Sequence, residues 1–88
     1  MRTVQYEPAR FRRWHDGPVV VIDCQGVGSA IDTRGATYIV INSQSDAVSY
    51  LNMLRRPFAG TICVFADEHH VAFLASEFAD LDIVHVKL

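Results

Sequence analysis

From residue 36 onward, apolar β-branched runs at 37–41, 61–65 and 83–86 alternate with two segments, 46–56 and 68–79, whose apolar residues recur at helical spacing. Ala47, Leu51, Leu54 and the following Phe58 mark one stripe; Val71, Leu74, Ala75 and Phe78 fall at i, i+3, i+4 and i+7 and mark the other. Ser45 and Asp67 stand at N-cap positions, and Pro57 closes the first helix. This order predicts an α/β layer with both helices packed on the sheet, crossovers long enough for parallel pairing, and right-handed connections.

The first half is punctuated differently. Residues 2–6 alternate enough for a short edge strand, and Glu7-Pro8 can start a helix, because proline at a first helical position gives up an N–H that would be unpaired anyway. Phe11 and Trp14 would share one face of that helix, which Asp16-Gly17 ends. The run 18–23, apolar through Val19, Val20, Val21 and Ile22, reads as an interior strand covered on both faces. Gly26, Gly28 and Gly35 break up 24–35, where residues 29–31 read as a short antiparallel strand or a single helical turn. The expected fold is α/β, with α+β the alternative. It is a single domain over 1–88, built on one mixed sheet of about four to five strands.

Composition changes this picture in two ways. Half of the 88 residues are hydrophobic and only 20% are charged, so apolar surface stays exposed in a monomer of this size and self-association or a partner would cover it. No apolar run is long enough to span a bilayer, the N-terminus lacks the pattern of a signal peptide, and Cys24 and Cys63 fit reduced thiols. The expected setting is therefore cytoplasmic; the preference for Arg over Lys in so small a chain separately suits a bacterial or phage-encoded protein, the latter acting in the host cytoplasm. Net charge is −2, which argues against a nucleic-acid partner. The charge is uneven, however: Arg10, Arg12 and Arg13 crowd one segment beside Trp14, while Asp67, Glu68, Glu77, Asp80 and Asp82 make the last third acidic. Such opposite patches suit contacts between protomers or with a partner protein.

Candidate chemistry gathers where parallel strands would end. Asp23-Cys24, Asn42-Ser43 and Asp67-Glu68-His69-His70 all fall at predicted carboxyl ends, where open α/β sheets bind ligands. Asp23, Cys24 and Asp67 are the candidate catalytic residues, and Asn42 and Ser43 the candidate ligand-binding ones. The two aspartates could offer oxygen ligands to a divalent cation, although helix capping and strand termination explain the same residues without one. Adjacent His69 and His70 diverge by roughly 100° on a helix, so neither a zinc site nor any other metal site is expected.

The stretch Cys24-Gln25-Gly26-Val27-Gly28-Ser29 resembles the cysteine loop of phosphotransferase-system IIB components. That resemblance implies a thiolate accepting a phosphoryl group inside a glycine-rich turn. It covers six residues, and Gly35 with the strand at 37 arrives where that family has a full helix. The position six after Cys24 is Ala30, so the phosphate-gripping arginine of low-molecular-weight phosphatases is missing.

No P-loop, dinucleotide fingerprint, nucleophile elbow or paired-cysteine zinc spacing is present. The reading that follows is a noncatalytic protein-interaction module: an accessory factor, regulator or inhibitor of a partner protein, possessing no cofactor and forming a homo-oligomer such as a homodimer. Its contact residues would be Arg10, Arg12, Arg13, Trp14, Glu68, His69, His70, Asp80 and Asp82. The alternative is a small enzyme or a phosphate- or ligand-binding domain using Asp23, Cys24, Asn42 and Asp67.

Overall fold

A computed structural model of the chain describes residues 2–8, 17–54 and 58–88. Arg10, Arg12, Arg13 and Trp14 lie outside them. The elements are β1 (Arg2–Gln5), β2 (Val19–Asp23), a 3-10 turn (Gly28–Ala30), β3 (Thr37–Val40), α1 (Gln44–Leu54), β4 (Thr61–Phe65), α2 (Glu68–Glu77) and β5 (Asp82–Lys87). The strands form one sheet in the order β1-β5-β4-β2-β3, and every pairing is parallel. The mixed sheet expected from the sequence is thus wholly parallel, and residues 28–30 form the helical turn rather than the antiparallel strand.

Strand order explains the burial pattern. β2, β4 and β5 are flanked on both sides and are buried over most of their length, whereas β1 and β3 form the two edges and are largely exposed. Continuous apolar runs therefore mark the interior strands. The connections from β3 to β4 and from β4 to β5 cross the sheet in the same direction, so right-handed crossovers must lay both helices on one face. They do: Ala47 and Leu51 of α1 and Val71 and Leu74 of α2 share one core cluster with Val20, Ile22, Ile62, Val64 and Ile83.

Strand alternation sends Val21, Cys63, Phe65, Val84 and Val86 to the opposite face. There Val27, Ile31 and Ala36 of the 24–36 connection pack on them, together with Val4 and Tyr6. Tyr6 fastens this cover. Its ring meets Phe65 edge-on with centroids 6.2 Å apart, and its hydroxyl accepts the Asp32 N–H at 2.8 Å. At the amino ends of the strands, Arg2 donates to both oxygens of Asp82 at 3.3 and 3.0 Å, and the Thr61 hydroxyl donates to the same carboxylate at 3.1 Å. No helix among the described residues is long and apolar enough to cross a membrane.

Candidate functional site

Parallel pairing places the ends of β2, β3, β4 and β5 on one rim, and with them Asp23-Cys24, Asn42-Ser43, Asp67-Glu68 and Lys87. The sequence-predicted cluster is assembled in space. Three of its side chains, those of Asp23, Ser43 and Asp67, are engaged in holding the rim together.

Asp23 is fully buried, and its carboxylate accepts hydrogen bonds from the N–H of Gln25 at 3.0 Å, the N–H of Val27 at 2.9 Å and the Tyr38 hydroxyl at 2.5 Å. Burial alone would raise its pKa, but Tyr38 and the backbone donors of Val27, Gln25 and Gly26 together outweigh burial and hold the group below the usual carboxylate value. The same bond raises the phenol of Tyr38 above its ordinary pKa. The carboxylate is therefore an anchor that winds the chain out of β2 and ties it to β3. Gly26 permits this turn with φ at 67°, a backbone conformation that side-chain-bearing residues resist. Gly28 matters for a different reason: a Cβ there would collide with the Tyr38 hydroxyl.

Cys24 follows directly, half-buried against the helix-side core. Burial, then the charges of Asp23 and Asp67, push its thiol pKa up. A thiolate nucleophile requires the reverse, a nearby cation or an open helix N-terminus that lowers the pKa. Cys63 lies in the opposite core, with its pKa pushed up to about 12 mainly by burial.

The two hydroxyl and carboxylate groups at the helix starts serve as caps. Asp67 accepts the His70 N–H at 2.9 Å, and this bond is the leading cause of its lowered pKa. The cap of α1 is Ser43, where the sequence had suggested Ser45: the Ser43 hydroxyl accepts the Asp46 N–H at 3.2 Å and its carbonyl accepts the Ala47 N–H at 3.2 Å. The reason lies in β3, which ends when the Ile41 N–H closes on the Asp23 carbonyl, so the helix begins two residues early and Ser45 falls in its first turn. Asn42 is exposed at the same junction.

The remaining candidates scatter. Glu68 and His69 are exposed, whereas His70 is partly buried and its Nε2 is enclosed without a hydrogen-bond partner among the described residues. Asp82 sits at the opposite end of the sheet, tied to Arg2, and Asp80 is exposed in the turn before it. No group of three or more His, Cys, Asp or Glu side chains among the described residues is arranged to hold a metal ion.

Two residues at the rim were not legible as a site. His85 is buried on β5, with Nε2 3.0 Å from the Ala66 carbonyl. A carbonyl only accepts, so Nε2 carries a proton there, and Nδ1 is enclosed and without a partner among the described residues. Beside it is a cavity of about 190 Å³ whose walls include Gln25, Asp67, Glu68, His85 and Lys87. Tyr38 is the other: its anchoring role depends on β3 lying next to β2, which no local spacing shows.

The fold and rim define a small parallel α/β domain with helices on one face and an irregular connection on the other. No family model matches the chain, and no curated protein or solved structure matches it either.

Proposed function

We propose that the chain is a noncatalytic interaction module, an accessory, regulatory or inhibitory factor that docks a protein partner along the open edge of β3. The observation that carries this reading is the character of that edge. Thr37, Tyr38, Ile39 and Val40 contain no charge, proline or glycine, and Val40 is 54% exposed. Edge strands of soluble proteins are ordinarily blunted by lysine, proline, a bulge or a cover, because an open row of N–H and C=O groups pairs with other chains. The rim supports the same reading, since Asp23, Ser43 and Asp67 serve as structural acceptors and Cys24 is held in its protonated form. Cys24 and Cys63, as thiols, suit a reducing, intracellular compartment.

Val40→Lys tests the proposal, because a lysine on the edge opposes strand addition while leaving the core untouched. A protein captured from the native host by the wild type should be lost by this variant at unchanged circular dichroism. Equal capture by both would refute docking at β3. A second reading, binding or catalysis of a small molecule at the carboxyl rim, has the cavity beside His85 in its favour. It predicts that Cys24→Ser and Asp67→Asn abolish function, whereas an interaction module keeps it.

A further inference from the structure

Apart from the β3 edge, the carboxyl rim contains a crevice that the anchoring and capping bonds leave unused. β2 and β4 are neighbours, yet the chain leaves them toward opposite faces. After β2 it passes Gln25 into the connection that packs over Phe65 and Val84, and after β4 it enters α2 on the other face. Such a divergence between adjacent parallel strands is where open α/β sheets take ligands. The cavity of about 190 Å³ lies there, walled by Gln25 from the exit of β2, Asp67 and Glu68 from the exit of β4, and His85 and Lys87 from the end of β5. The geometry points to a site for a small free α-amino acid in this crevice, held as the zwitterion with its carboxylate on Lys87 and Gln25 and its ammonium on Glu68. The site uses neither β3 nor Cys24.

Charge placement carries the assignment. Strand alternation puts Ile83, His85 and Lys87 on the helix-bearing face, so Lys87 stands beyond His85 toward the first turn of α2, where Glu68 lies. These opposite charges border one cavity, yet among the described residues no ion pair joins Lys87 to Glu68 or Asp67. The space between them separates a cation from two carboxylates, and a ligand bearing both signs satisfies the two walls at once. An anion alone would face Asp67 and Glu68, and a cation alone would face Lys87. Gln25 is already fixed in place, because its N–H is held by the Asp23 carboxylate at 3.0 Å.

Burial supplies a second indication. His85 is 3% exposed, its ring is oriented by Nε2 lying 3.0 Å from the Ala66 carbonyl, and its Nδ1 has no partner among the described residues. Buried polar atoms left so are uncommon in folded proteins, and a bound polar molecule is one way they are completed. A ligand hydroxyl at the floor of the crevice completes this one with a slight turn of the ring, and it suits either protonation state because it both donates and accepts. Size sets the remaining limit. An apolar cavity of about 150 Å³ accepts benzene, so this one admits roughly six to nine non-hydrogen atoms, enough for serine and too few for a nucleotide.

The probe is L-serine, titrated to about 50 mM into the isotope-labelled full chain at constant pH and ionic strength, and followed by amide resonances. Sodium acetate and methylammonium chloride serve as single-charge controls. Shifts at Gln25, Glu68, His85 and Lys87 should saturate with a dissociation constant on the order of 1 mM, in keeping with an open site and so small a ligand. Lys87→Ala and Glu68→Gln, both at exposed positions, should each weaken binding about tenfold at unchanged circular dichroism.

Shifts that do not saturate by about 50 mM overturn the site. Binding undiminished in either variant overturns the two-walled assignment, and acetate or methylammonium binding as tightly as serine overturns the zwitterion as its ligand. None of these results bears on β3, which Val40→Lys tests by itself.

Discussion

Replacing Asp23 by Asn is the sharpest probe of how the rim is built. The substitution keeps the shape and one acceptor oxygen, which can still receive the Gln25 N–H now at 3.0 Å. The other oxygen becomes an NH2 group facing the Val27 N–H and the Tyr38 hydroxyl, now at 2.9 and 2.5 Å. The hydroxyl can rotate and accept, but the Val27 N–H then meets a second donor. An enclosed donor left unpaired costs about 1–3 kcal/mol, and the surviving bonds lose their ionic assistance. Removing a charge that had to be buried returns part of this. Because the group lies just beneath the rim, about 2 kcal/mol net is the expected loss at neutral pH.

With a urea slope of about 1 kcal/mol per M for a chain this short, the unfolding midpoint should fall by about 2 M. The pH dependence carries the decisive sign. The pKa of Asp23 is lowered in the folded protein, so its contribution is fully present above the ordinary carboxylate value of 3.8 and is lost as pH falls through the folded value. The gap between wild type and Asp23→Asn should therefore close in acid. Asp67, also lowered, titrates in both proteins and drops out of the difference. A midpoint shift below about 0.3 M at pH 7, or a gap that persists unchanged at about pH 2, would refute the anchoring role.

Other outcomes follow from particular contacts. Gly60→Ala should cost about 3 kcal/mol in thermal or urea unfolding, since its Cβ meets the Pro18 carbonyl, which is itself held by the Thr61 N–H. Gly28→Ala should cost less, about 1–2 kcal/mol, because a side chain rather than backbone is in the way and Tyr38 can swing aside. Leu51→Ala, at a fully buried position between α1 and the sheet, should lose about 3 kcal/mol by leaving a cavity. A thiol reagent should label Cys24 slowly at neutral pH and faster in alkali, and Cys63 only on unfolding; rapid labelling of Cys24 at pH 7 would restore it as a nucleophile.

The alternation of the second half was enough to place α1, β4, α2 and β5, because each is a local period that either face of a sheet can use. The same pattern placed one cap at Asp67, where it is, and the other at Ser45, two residues beyond Ser43, which does the capping. Ser43 and Ser45 are equivalent in sequence, and only the bond between Ile41 and Asp23 selects one of them. Likewise, the apolar run of β2 declared it interior, but nothing local said that β3 would lie beside it and supply Tyr38 to Asp23.

The sequence by itself thus determined the elements, the parallel crossovers and the gathering of polar residues at one rim, since these follow from side-chain period, caps and connection length. Strand order was decided only in the folded sheet. That order consumed Asp23 as an anchor, shut His85 beneath the rim, and left β3 uncharged and, among the described strands, unpaired along its outer edge. Each of these depends on which strands become neighbours, a choice made by the packing of both faces at once rather than by any single segment.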